Sequence, residues 1–265
     1  MASLVVVVHL VVALLHFVTG VVAAVGSANF SSRFLFHGRL PLTCFEMVPV
    51  GDGSQRAFSE QRLVQDCGTY DLVAFCAALH LATAVAHGWY AFLGSSTKWR
   101  WLEYTFSAPF VFLHTALTSG TRDVGTLVLI AICTAGIMPL GFIMEATQPS
   151  SRVLGEGWFK AQFRLLRGTT YSLVVFAGWY VTLGVLFVIM WNFAHLANGS
   201  GRDNKPPDFV YGIIASELVL LPLFGVAAMV HQSLGDANSD LLHAFLSFSS
   251  KILPTTIFLF SIYNA

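Results

Sequence analysis

The sequence predicts an all-α membrane protein: a seven-transmembrane-helix bundle with a long extracellular loop after the first helix. Three observations carry this. Of 265 residues, 55% are hydrophobic and only 11% are charged, where a soluble domain carries about 25% charged residues. The mean hydropathy is +0.70. The apolar residues come in long runs rather than in alternation, so helices cross the bilayer and not the strands of a barrel.

The first run, about 4–25, reads as a retained helix. Its alternative is a signal peptide, since VVAAVGSA offers small residues for cleavage. It lacks a basic start, however, and its apolar part is longer than such a segment needs. The stretch 26–67 is the only long connection, rich in Gly, Ser, Arg and Phe, and LPLTCFEMV within it is a candidate strand of a short β-hairpin. Further runs follow at about 68–93, 99–120, 124–146, 169–196, 209–231 and 241–263. Each reaches the roughly 20 residues that a spanning helix needs. The third begins among Lys98, Trp99, Arg100 and Trp101, an interfacial anchor. No internal repeat or low-complexity tract divides the chain, so residues 1–265 read as one domain.

Seven spans put the termini on opposite sides. With the N-terminus in the cytoplasm, the inner loops hold Lys98, Arg100, Arg152, Lys160, Arg164 and Arg167, and the short outer loops hold Arg122, Arg202 and Lys205. Positive charge on the inside favours that orientation. The sequons Asn29-Phe-Ser and Asn198-Gly-Ser then fall in outer loops. Fourteen basic and fourteen acidic residues cancel, which gives no hint of a nucleic-acid partner. The four cysteines show no metal-ligand spacing; Cys44 and Cys67 are a candidate disulfide pair. The basic, partly amphipathic RVLGEGWFKAQFRLLR suits either a soluble partner or anionic lipid.

The last run, HAFLSFSSKILPTTIFLFSIY, contains Lys251 with no acid beside it. A lysine at mid-bilayer costs about 2.5–3.5 kcal/mol and is usually functional. Snorkelling is poorly served, because either helix end is roughly 15 Å away at 1.5 Å per residue. An ion pair with an acid on another helix is a second alternative. The functional reading is a Schiff base: a desolvated lysine has a neutral amine that attacks an aldehyde. In a seven-helix membrane protein, a lysine at that depth suggests retinal. Such a cation needs an anion, and Glu103 is the candidate, with Arg100 one turn away helping to keep it ionised. Its alternative is an interfacial glutamate paired with Arg100.

RWLEYTFSA around Glu103, PDFVYGII ending at Ile214, TQP at 147–149 and LSFSSK ending at Lys251 resemble the heliorhodopsins over all seven helices and the long loop. The resemblance implies an inverted microbial-type rhodopsin with a cytoplasmic N-terminus and homodimers formed partly through the first loop. It implies all-trans-retinal on Lys251, Glu103 as counterion and Ser247 facing the Schiff base. Ser247 also shares the lysine's helix face by its spacing of four. His9 and His80 correspond to histidines that line a cytoplasmic polar cavity. Most members do not pump ions, and many are thought to be sensors.

Three residues depart from the family pattern. Cys76 replaces a common serine, Pro222 falls in mid helix, and Glu217 stands in YGIIASELVLLPLF where an apolar residue is expected. His9 and His16, and His80 and His87, are seven apart, so each pair shares a face two turns apart. His114 shares a face with Glu103. Imidazoles suit proton relay, although a histidine in a span is more often a packing residue. The expected function is therefore a light-absorbing retinal protein, not an enzyme, with a light-activated proton conductance through Glu103 and Glu217. The alternative is a non-transporting sensor that signals to a cytoplasmic partner. A solute transporter would need broken helices or repeats and leaves Lys251 without a role.

Overall fold

The computed structural model describes residues 2–30, 39–41, 44–49, 59–64, 69–93, 97–147, 169–198, 206, 208–234 and 236–263. Seven long helices account for most of them: α1 (Ala2–Phe30), α2 (Leu72–Leu93), α3 (Thr97–Thr118), α4 (Val124–Thr147), α5 (Thr169–Ala197), α6 (Asp208–Leu234) and α7 (Asp236–Tyr263). Between α1 and α2 lie β1 (Arg39–Pro41), β2 (Cys44–Pro49), β3 (Ser59–Val64) and β4 (Thr69–Asp71). Strands β2 and β3 pair antiparallel with Cys44 opposite Val64, and β1 pairs with β4 with Arg39 opposite Asp71. Cys67, the segment 148–168 and the residues that complete the Asn198 sequon lie outside the described residues.

Several boundaries differ from the sequence reading. α1 runs to Phe30, so Asn29 stands in its last turn rather than in a loop. α2 begins only at Leu72, after β4, where the Asp71 carboxylate accepts from the Ala74 N–H at 2.9 Å and caps the helix. Asp123 caps α4 in the same way, accepting from Thr126 N–H at 2.6 Å. α3 stops at Thr118 because Gly120 turns the chain with φ +94°, a conformation natural to glycine.

Among the described residues, six of the seven helices are long and apolar enough to cross a membrane. α3 is the exception, since Lys98, Arg100 and Glu103 stand in its first two turns. Sequence neighbours pack together around the bundle, and α1 closes it against α7. α1 and α2 meet closely at Gly20, where an added Cβ would fall 2.9 Å from Leu81 Cγ. The outer faces are apolar and exposed, as with Phe92, Phe176 and Tyr180, which suits hydrocarbon. The chain is a multi-pass integral membrane protein. α3 begins at the same end of the bundle at which α1, α5 and α7 begin. That end is called the Arg100 end here, and the other the Arg122 end.

Candidate functional site

Along α7, His243, Ser247 and Lys251 follow at steps of four and share one inward face. Side chains lean toward their helix N-terminus, so Lys251 Nζ reaches back and donates to Ser247 Oγ at 3.1 Å. α3 adds Glu103 Oε1 at 3.1 Å and, four residues later, Ser107 Oγ at 3.2 Å. α2 adds Thr83 Oγ1 at 3.2 Å. The Tyr104 ring centre lies 5.7 Å from the nitrogen. Lys251 is 4% exposed, so its charge is met by this cage and not by water. Its carboxylate partner is Glu103, the residue that the counterion reading names. The other half of that reading changes: Arg100 does not pair with Glu103. Its guanidinium bonds Glu145 of α4 at 2.7 Å and Asp240 of α7.

On one side of Lys251 lies an apolar cavity lined by residues of α3, α4, α5, α6 and α7. Trp101, Tyr104, Trp179 and Phe224 line it. Glycines make the room: a Cβ at Gly141 would fall 2.2 Å from the Trp101 ring, and one at Gly225 3.0 Å from Trp179. Pro222 also lines the cavity, and lacking an N–H it leaves the Leu218 carbonyl without its helical donor. An apolar cavity with a buried amine in its wall suits an apolar aldehyde, and retinal is one.

On the other side lie the histidines. His9 and His87 meet Nδ1 to Nδ1 at 2.9 Å, and His16 and His80 at 2.7 Å. α1 and α2 run antiparallel, so a step of seven on one answers a step of seven on the other. The sequence grouped these residues along each helix; the structure pairs them across. All four are buried. His87 Nε2 lies 3.4 Å from Ser247 Oγ, which joins the histidines to Lys251 through one hydroxyl.

Two expected site residues stand apart. Glu217 is 1% exposed, and its Oε2 has no partner among the described residues. His114 packs edge-on against Phe258 at 5.7 Å rather than joining Glu103, and its Nε2 is likewise without a partner. Sequence reading missed Thr83, Ser107, Tyr104, Glu145, Asp240 and His243. Spacing held a signal for three of them. Thr83 lies between His80 and His87 on their face, Ser107 is four past Glu103, and His243 is four before Ser247.

A family model, heliorhodopsin, matches residues 5–238. No curated protein matches the chain. The family match covers most of the chain and ends in the first turn of α7, before Lys251. The chain belongs to the heliorhodopsin family, whose members are retinal-binding, light-sensing membrane rhodopsins.

Proposed function

We propose that this heliorhodopsin holds all-trans-retinal on Lys251 with Glu103 as counterion, and that light moves a proton from the lysine nitrogen into the protein. One observation carries the reading: Lys251 Nζ stands where the apolar cavity ends and the oxygen cage begins. Bound retinal supplies absorption of visible light and a change of shape about a double bond. The protein does the rest. Glu103 balances the charge on the nitrogen and is placed to take its proton, and Ser247 leads from the nitrogen to His87. The paired imidazoles beyond can hold or pass that proton.

The Arg100 end faces the cytoplasm in this reading, supported by the basic residues in its connections. Exposed aromatics along α5 (Phe176, Tyr180, Phe187) offer a seam for the homodimer that the family resemblance implies.

Glu217 favours conduction as the output. It lies about 13 Å in from the Arg122 end of α6 at 1.5 Å per residue. An acid there is costly unless it serves an ion path. The test is photocurrent under voltage clamp in retinal-supplied cells, with pH varied on each side. A current reversing near the proton equilibrium potential, and abolished in Glu217→Gln without loss of colour, supports conduction. Coloured protein without current leaves a sensor that acts on a cytoplasmic partner. An unchanged current in Glu217→Gln removes Glu217 from the path.

A further inference from the structure

Four oxygens surround Lys251 Nζ: Glu103 Oε1 and Ser247 Oγ at 3.1 Å, Thr83 Oγ1 and Ser107 Oγ at 3.2 Å. An ammonium group has three N–H bonds to share among them. Attachment of an aldehyde changes that count. Two hydrogens of the nitrogen and the aldehyde oxygen leave as water, and one N–H remains on the protonated nitrogen. Once the lysine is joined to retinal, the cage holds more acceptors than the nitrogen can serve.

The four oxygens differ in what they keep. Glu103 carries the charge that the nitrogen needs. Thr83 Oγ1 donates to the Leu79 carbonyl of its own helix at 2.9 Å. Ser247 Oγ has His87 Nε2 at 3.4 Å. Ser107 has no such second contact. Thr105, Thr115 and Thr118 of the same helix donate to carbonyls one turn back, whereas Ser107 bonds only Lys251 among the described residues. Its hydroxyl hydrogen is therefore unused. Ser107 is 6% exposed, and a buried hydroxyl left unpaired is costly.

An acceptor stands close by. One turn earlier on α3, Glu103 Oε2 is buried and without a partner among the described residues. Side chains four apart on a helix are neighbours. Of the four residues that supply the cage oxygens, Ser107 alone lines the apolar cavity. A chromophore in that cavity covers the open side of the serine and leaves Glu103 as the acceptor within reach.

We propose that Ser107 changes partner when retinal is attached. In the free chain it accepts from Lys251; in the loaded chain it donates to Glu103 Oε2 and positions the counterion. The proposal rests on the attachment of retinal to Lys251 described above. A donor on the carboxylate draws negative charge away from the lysine nitrogen. Without that donor, the full charge of Glu103 favours the dark state, in which the positive charge sits mainly on the nitrogen. The energy of absorption then rises.

The test compares Ser107→Ala with the wild type, each as the free and as the retinal-loaded full chain in detergent. The readouts are the dark visible spectrum and the infrared carboxylate band of isotope-labelled glutamate, assigned to Glu103 by its loss in Glu103→Gln. In the loaded chain, Ser107→Ala should shift the Glu103 band and move the visible maximum to shorter wavelength, and Ser107→Thr, which keeps the hydroxyl, should restore both. In the free chain the Glu103 band should be the same with and without Ser107→Ala. A loaded chain whose Glu103 band ignores Ser107→Ala overturns the proposal. A shift of equal size in the free chain overturns the change of partner. A wild type that forms no visible band with retinal overturns both this proposal and the reading beneath it. Should Ser107→Ala fail to fold, Ser107→Cys, a weak donor of similar size, takes its place with the same expected shifts and the same overturning results.

Discussion

At the Arg100 end, polar side chains reach across helices. His9 meets His87, His16 meets His80, and Arg100 ties α3 to α4 and α7. At the Arg122 end, polar side chains mostly turn back on their own helix. Thr115 donates to the Val111 carbonyl at 2.9 Å, Thr118 to His114 at 2.9 Å and Ser119 to Ala116 at 2.7 Å. There Asn192 to Thr121 at 3.0 Å is a crossing bond near the surface, while Glu217 Oε2 deeper in has no partner among the described residues. The difference separates two ways of keeping polar atoms in lipid. A hydroxyl bonded to its own helix is satisfied and inert. A pair shared between helices has two arrangements, and a proton can choose between them. Lys251 stands at the boundary between the two.

Replacing the boundary residue should have the largest effect. Lys251→Ala is expected to lose the visible band of the retinal-loaded protein entirely, and a variant that keeps it would move the attachment elsewhere. Next, the two halves should respond to neutralisation with opposite sign. Arg100→Ala leaves Glu145 and Asp240 without their cation, and thermal unfolding should show a loss of roughly 3–5 kcal/mol, the usual result of breaking one side of a buried ion pair. Glu217→Leu removes an unsatisfied polar group and should raise stability by about 1–3 kcal/mol. A loss in that variant would mean that Glu217 has partners that support the fold. Third, His87→Phe should slow recovery of the dark absorption about tenfold or more, while His16→Phe, one contact further from Ser247, should slow it less. Equal slowing would show that the imidazoles act as a pool rather than a chain. The smallest effect belongs to Gly20→Ala, whose Cβ must push Leu81 aside. A destabilisation of about 1 kcal/mol is expected, within the range for mild overpacking, with no change of colour.

Much of the site was legible in the chain because it obeys helix spacing. Lys251 drew notice as an ammonium amid apolar residues and Glu103 as an acid in a span, while Ser247 came from the family resemblance, with which its step of four agrees. The histidine faces also followed from period alone. What spacing does not carry is the pairing between helices. Arg100 and Glu103 are three apart and look like partners, yet Arg100 turns to Glu145 and Asp240. A guanidinium with five donors takes two carboxylates more readily than one, and Glu103 is claimed by Lys251. His114 and Glu103 share a nominal face, but Phe258 occupies the space beside the imidazole.

The sequence by itself determined the membrane class, the seven helices to within a few residues, and the lysine around which the rest is arranged. Hydropathy and period are local properties, and these features depend on nothing else. Only the tertiary structure decided which charge meets which, where the cavity lies, and that the polar network gathers at one end. Those depend on the antiparallel register of α1 with α2 and on where α3, α4 and α7 converge, distances that no single segment contains.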